Sequence, residues 1–330
     1  MRKIFLSSLV LLLSLSAFAQ HSRHFTFHYA FSVRNIQPGQ KIEIWFPRAS
    51  SDQFQDVKIV SVTDDLPLDK THESKCRNTI FHAIASKAAK DAYHFDVEYD
   101  VIRRERIGLP RDSMQSRLVK ASAKEAYQYL GPDKLVPITG KLADIAEKQV
   151  QGHTGTMDRA RSLYDYVFKT MRYDKSGTGW GRGDAEWACD SKRGNCTDFH
   201  SVFISMARSQ HIPARFEIGF PLPANKNSGE IAGYHCWAEF YDSRYGWVPV
   251  DISEAWKDPS KKDYFFGAHD ANRVQLSMGR DLILNPPQSG EPLNYFVYPH
   301  VEVDGKKWEN VSNQFAFADV GISATVATGK

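Results

Sequence analysis

Apolar and polar residues alternate without a break from His24 to Val33, with Phe25, Phe27, Tyr29, Phe31 and Val33 on one side. A period of two marks a half-buried strand. Gln37-Pro38-Gly39-Gln40 reads as a turn, and Ile42, Ile44 and Phe46 mark a second strand. Val57 and Ile59 mark a third, Thr79 to Ile84 is a weaker candidate, and Tyr93, Phe95, Val97, Tyr99 and Val101 repeat the strong alternation. Short strands separated by turns predict a β-sandwich over residues 20–110. Its histidines, His24, His28, His82 and His94, are expected on strand surfaces, with no spacing that pairs them as ligands.

The period then changes. Ala121 to Leu130 and Ile138 to Val150 read as helices, and a stronger one starts near Thr156, which suits an N-cap. Its stripe of Met157, Ala160, Tyr164, Val167, Phe168 and Met171 faces a core. A loop rich in glycine and tryptophan follows from Asp174 to Asp190. Phe199, Val202, Phe203, Met206 and Ala207 give the next helix its buried face, and Pro213 ends it. Ala214 to Phe220 reads as a strand, and Pro221 to Gly233 as a polar loop. Tyr234 to Tyr241 and Trp247 to Asp251 form a hairpin about Asp242-Ser243-Arg244-Tyr245-Gly246. Helices followed by an antiparallel hairpin predict an α+β domain over residues 111–270. Beyond it, strand-like runs at Tyr295 to Val303 and Phe315 to Val320 predict a C-terminal β extension and polar tail, 271–330.

Ahead of the first strand, Arg2 and Lys3 precede an apolar run from Ile4 to Leu15 and the small-residue site Ala17-Phe18-Ala19. This is the pattern of a secretory signal peptide cleaved after Ala19, so a secreted or periplasmic location is expected. No other stretch is apolar enough to span a bilayer. The formal charge is +3, and Arg2 and Lys3 of the leader supply two of those charges. So small a balance argues against nucleic acid as a partner. Arg103-Arg104-Glu105-Arg106 reads as a solvated domain junction. The four cysteines, Cys76, Cys189, Cys196 and Cys236, are too few for a disulfide framework. Cys189 with Cys236 is the preferred pair if one forms; all four reduced is equally compatible. No cysteine or histidine pair has metal-ligand spacing, and neither a metal nor a cofactor is expected.

Chemistry concentrates at Cys196. Arg193-Gly194-Asn195-Cys196-Thr197-Asp198 runs from a glycine turn into a helix. Free cysteine titrates near ~8.5, and a helix N-terminus or a neighbouring imidazolium favours the thiolate that attacks carbonyl carbon. The Cys196 amide, pointing outward, would also face an oxyanion. If Tyr241 pairs with Trp247, Trp237 lies opposite Asp251 and His235 is its diagonal neighbour on the same face, roughly ~7 Å away at the backbone. Asp251 would then orient His235, leaving the other ring nitrogen for Cys196. A one-residue bulge in the turn would break that relation.

The segments Gly194-Asn195-Cys196-Thr197-Asp198, His211-Ile212-Pro213-Ala214-Arg215, Gly233-Tyr234-His235-Cys236-Trp237-Ala238-Glu239 and Gly246-Trp247-Val248-Pro249-Val250-Asp251 together resemble the transglutaminase-like superfamily of papain-type cysteine enzymes. The resemblance spans roughly residues 158–251, and the N-terminal β-domain is reminiscent of its secreted bacterial members. It implies Cys196 as nucleophile, His235 as general acid-base and Asp251 as orienting carboxylate. It also implies acyl transfer from amide bonds of peptides, proteins or cell-wall material. A catalytically silent binding or scaffold protein on the same fold is the alternative. Nothing resembles a calcium loop. Trp187 is a candidate oxyanion or wall residue or else a packed loop aromatic, and His200, one turn after Cys196, is read as structural. Asn195-Cys196-Thr197 matches a glycosylation sequon, although a glycan there would block the site.

Overall fold

In a computed structural model, the structure describes residues 21–107, 109 and 123–321. The expected signal peptide, the polar tail beyond 321 and the start of the helix expected at Ala121 lie outside the described residues. The N-terminal strands are β1 (Ser22–Arg34), β2 (Ile42–Pro47), β3 (Gln55–Asp64), β4 (Asp69–His72), β5 (Thr79–Ala85), β6 (Ala92–Arg104) and β7 (Arg106–Ile107). Helices α1 (Ala123–Tyr127), α2 (Lys141–Val150) and α3 (Thr156–Thr170) follow, then β8 (Arg172–Tyr173), α4 (Ala185–Ser191), β9 (Arg193–Gly194) and α5 (Cys196–Ser209). Next come β10 (Ala214–Pro221), β11 (Ser228–Glu230), β12 (His235–Asp242), β13 (Gly246–Val250) and α6 (Ile252–Lys257). The last described strands are β14 (Ala268–His269), β15 (Arg273–Met278), β16 (His300–Val303), β17 (Lys306–Lys307) and β18 (Val311–Asp319).

Two five-stranded sheets, ordered β11-β18-β1-β6-β3 and β17-β16-β2-β5-β4, make the sandwich. Every apolar residue of the β1 alternation is buried, as are Ile42, Ile44 and Phe46 of β2. The two inner faces interlock through aromatic contacts, such as Tyr29 stacked on Phe46 at 5.9 Å and Phe31 edge-on to Phe46 at 5.0 Å. The fold is mixed α+β, as expected, with a β-rich N-terminal region. Of the expected C-terminal extension, β18 runs antiparallel along β1, Phe317 opposite Phe27, and β16 pairs with β2, both within the sandwich, whereas β15 joins the core sheet. The expected strand over Tyr295 to Val303 is confined to β16; before it Tyr295, Val297 and Tyr298 pack with the main core, while Phe296 turns to the outer face of the second sheet. There Leu282, Leu284 and Phe296 bury Trp45 and Ile80.

That cover corrects a surface expectation. His82 is buried, 3.1 Å from Glu43 and 5.3 Å from Trp45 between ring centroids, whereas His24, His28 and His94 stay on the wet face. Arg103-Arg104-Glu105-Arg106 is a domain junction but not a solvated one. Arg103 and Arg106 are buried between the sandwich and the α+β core. Arg106 pairs with Glu239, donates to the Trp247 carbonyl at 2.9 Å and stacks over Phe54. Buried guanidinium groups need partners of this kind.

The core sheet has the order β13-β12-β10-β15. Against it lies α5, buried on every side from Cys196 to Arg208, with α2, α3, α4 and α6 around it. Two polar residues of α5 are held internally: Ser205 donates to the Pro137 carbonyl, and Arg208 to Asp133 at 2.7 Å. Gly219 lets β10 approach β15 at a register shift, since a Cβ there would lie 1.8 Å from the Val274 carbonyl oxygen. Short α4, within the expected loop Asp174 to Asp190, is started by Asp184, whose side chain accepts from the Trp187 amide. Among the described residues no helix is long and apolar enough to cross a membrane.

Candidate active site

Local sequence sets the nucleophile first. Asn195 caps α5, its Oδ1 accepting the Thr197 amide at 2.9 Å, while Asp198 reaches back to the Asn195 amide at 2.9 Å. This reciprocal box leaves Cys196 as the first helical residue. As a first-turn residue its own N–H has no partner within the helix, and no backbone acceptor outside it is found among the described residues. Gly194, at φ +151°, makes the turn possible: a Cβ there would lie 2.3 Å from the Asp198 carboxylate. The same carboxylate accepts the amides of Gly181 at 2.7 Å and Gly183 at 3.0 Å, pinning the glycine-rich loop to the helix start.

The hairpin supplies the other two groups in the expected register. Tyr241 pairs with Trp247 and Ala238 with Val250, with no bulge between them. His235 and Asp251 therefore share a face, and His235 Nε2 lies 2.7 Å from Asp251 Oδ2. Asp251 also caps α6, its Oδ1 accepting the Glu254 amide and the Ser253 hydroxyl, each at 3.1 Å. With Nε2 engaged, Nδ1 is the His235 atom left for the thiol, and His235 is among the groups that lower the Cys196 thiol. The structure thus brings Cys196, His235 and Asp251 together, at 2 %, 4 % and 0 % exposure.

Burial by itself would push the Cys196 thiol up, but hydrogen bonds from Cys236 and His235, with the His235 charge, together hold it well below the usual thiol range. His235 moves the other way. Burial works against its charge, yet the Asp251 carboxylate and the bond to it raise the imidazole to about 10. Asp251 is buried too, and His235, Arg273 and His200 keep it well below the usual carboxylate range. These directions favour a thiolate–imidazolium pair backed by a carboxylate at neutral pH.

Neighbours missed in the sequence complete the surroundings. Arg273, on β15, donates through Nη1 to Asp251 Oδ2 at 3.0 Å. Cys236, next to His235, is turned toward α5, 3.7 Å from Thr197 Oγ1 and 3.8 Å from His200 Nδ1. Tyr234 gathers Asn195 Nδ2 at 3.1 Å, Thr197 Oγ1 at 2.9 Å and the Gly181 carbonyl at 3.3 Å around its hydroxyl. The signal for Asp198 was in plain sight, as the fourth residue of an Asn-x-x-Asp box. Arg273 had none, lying on a strand far along the chain.

The remaining expectations settle on contacts. His200 is structural: its Nε2 accepts the Ile252 amide at 3.1 Å, and burial, its largest influence, disfavours its charge. Trp187, expected in a loop, sits on α4 and packs under Gly179, with Arg193 over its ring at 5.6 Å. The sequon asparagine is buried and committed to Tyr234, which leaves no room for a glycan. All four cysteines are free, so the favoured Cys189–Cys236 disulfide is absent; Cys236 faces α5, and Cys189 lies by Lys192. Among the described residues no group of three or more His, Cys, Asp or Glu could hold a metal.

Residues 143–252 match the family model of the transglutaminase-like superfamily, a span that includes Cys196, His235 and Asp251. The chain is 31% identical over 213 residues to an uncharacterized protein of Haemophilus influenzae, covering 55% of this chain and 58% of that one. It is 23% identical over 156 residues to the uncharacterized protein YebA of Bacillus subtilis, covering 42% of this chain and 21% of the relative. The chain thus spans under two thirds of either relative. A solved structure from Cytophaga hutchinsonii, named "Putative Cysteine Protease", superposes with a TM-score of 0.60 at 14% identity, covering 92% of this chain and 93% of that one. The shared fold therefore includes the sandwich as well as the core.

Proposed function

We propose that this chain, built on a transglutaminase-like core, is a thiol enzyme that takes acyl groups from amide bonds through a Cys196 thioester. The observation that carries it is the line from the Cys196 sulfur through His235 to Asp251, whose Oδ2 lies 2.7 Å from Nε2. The thiolate adds to the amide carbonyl carbon, and the Cys196 amide faces the oxyanion. The tetrahedral adduct collapses as the carbon–nitrogen bond breaks and His235 gives its proton to the departing amine. Water or a second amine then adds to the thioester, His235 takes its proton, and the thiol is released with an acid or a new amide. The substrates are peptides, proteins or cell-wall material. Residues 1–19 support a place outside the cytoplasm, secreted or periplasmic, and the native protein is then expected to begin at Gln20 by intact-mass measurement.

One observation favours a second reading. The sulfur-bearing residue is almost wholly covered, as a silent scaffold on an enzyme fold would allow. Products separate the readings. Incubation with a glutamine-containing protein and a labelled primary amine is expected to give covalent label if an amine is the acceptor. New amino termini or released ammonia without label assign water. Neither product over a broad set of amides sinks the enzyme reading and leaves the scaffold.

A further inference from the structure

Asp251 is served by more donors than a Cys–His–Asp line needs. On Oδ2 it accepts both His235 Nε2, at 2.7 Å, and Arg273 Nη1, at 3.0 Å, while Oδ1 holds the Ser253 hydroxyl and the Glu254 amide. Arg273 is 2 % exposed, and its guanidinium lies over the Trp237 ring at 4.8 Å. Trp237 is in turn held by Glu217 at 2.6 Å. The strand that carries Arg273 is fastened from the other domain. Gln55 of β3 accepts the Gln275 amide and donates to the Gln275 carbonyl, both at 3.0 Å, while Arg103 of β6 donates to Gln55 at 3.2 Å.

We infer that Arg273 is a positioning residue of the reaction, holding the Asp251 carboxylate against His235 and setting the charge that the thiolate–imidazolium pair feels. The inference rests on the acyl-transfer reading of Cys196 and deepens it. It also gives the sandwich a part in the site, since β3 and β6 hold the strand on which Arg273 stands.

Charge counting gives the direction of the effect. Thiolate, imidazolium, carboxylate and guanidinium sum to zero, and losing the guanidinium leaves a buried excess of negative charge. That excess disfavours the thiolate and favours the imidazolium, so both titrations of the pair move to higher pH. The groups facing Arg273 are Asp251 and Glu254 at the α6 turn, Asp270 at 3.4 Å, His269 of β14 and Arg103 of β6. His235 and, at 3.8 Å, His200 face Asp251 itself. Apart from the His235 imidazolium of the pair itself, none of these supplies a cation to Oδ2 in place of Arg273.

The test is the pH dependence of Cys196 alkylation by iodoacetamide, with p-nitrophenyl acetate turnover measured alongside. In Arg273→Gln, both limbs of the alkylation profile are expected to rise by about one pH unit. Turnover is expected to fall about 100-fold, as for a displaced catalytic group. Arg273→Lys, which keeps the charge, should return the limbs while leaving turnover reduced. A folded Arg273→Gln protein whose limbs stay at the wild-type positions overturns the inference. If Arg273→Gln does not fold, Arg273→Lys decides, and wild-type turnover in it overturns the proposal. A wild-type profile with no thiolate below the ordinary thiol range would sink the reading of Cys196 itself, and this inference with it. A normal wild-type profile that Arg273→Gln leaves unmoved sinks this inference alone.

Discussion

Cys196→Ala is expected to abolish acyl transfer, lowering kcat by about 10⁶-fold, the scale seen when a nucleophile that works as part of a triad is removed. The reason is chemical rather than structural. Alanine keeps the capping box of Asn195 and Asp198, the backbone amide at 196 and the buried packing, and removes only the sulfur. Deleting one buried atom of this size costs about 1 kcal/mol, so the melting temperature should move by only a few degrees. The same variant should lose all labelling by an electrophile that mimics an amide substrate, while Cys236, whose thiol is pushed up chiefly by burial that the variant keeps, stays unlabelled. In wild type, labelling should persist at mildly acid pH, because the Cys196 thiolate is held well below its usual range. As pH rises through about 10, His235 loses its proton. Labelling then continues on an unpaired thiolate, but turnover falls because no proton remains for the leaving amine. Activity that survives in Cys196→Ala, or wild-type labelling only at alkaline pH, would contradict the thioester route.

How much of this was legible in the sequence depends on how local each determinant is. The hairpin was readable because a period of two and a compact turn set both the faces and the register, so the His235–Asp251 approach followed from counting. The helix start was readable because Asn195 and Asp198 are cap residues with a glycine before them. What escaped was settled by distant chain. The outer face of the second sheet looks wet until Leu282, Leu284 and Phe296 arrive to cover it, which is why His82 is inside. Arg103 and Arg106 read as solvated charge until Glu239 and Trp247, far along the chain, provide partners. The return of β18 to β1 has no short-range signature. Arg273 escaped for the same reason: its strand carries buried residues on both faces, so alternation is lost.

Asp251→Asn is expected to be the second most damaging change, lowering kcat by about 10⁴-fold while also destabilising the fold. The carboxylate accepts four donors, from His235, Arg273, Ser253 and Glu254, and an amide has only one oxygen to offer. With the oxygen toward His235 and Arg273, the amide NH₂ confronts the Glu254 N–H. Turned around, the NH₂ faces Nε2 and forces the ring proton onto Nδ1, where it points at the sulfur and leaves no base. Arg273 is then buried with only Asp270, 3.4 Å away, as a close carboxylate. Stripping a buried charge of its partner costs on the order of 3 kcal/mol. The pH dependence has a definite sign. The Asp251 pKa is lowered on folding, so its contribution is complete above the unfolded value near ~3.9 and is lost as pH falls below it. The His235 pKa is raised, so its contribution is complete below the unfolded value near ~6.5 and is lost as pH rises through about 10. Denaturant unfolding of wild type and Asp251→Asn should therefore differ most near pH 6, with the difference shrinking as pH falls below ~3.9 and as it rises through about 10. A stability difference that is flat across that range would show that Asp251 is not the charged partner of His235 in the folded protein.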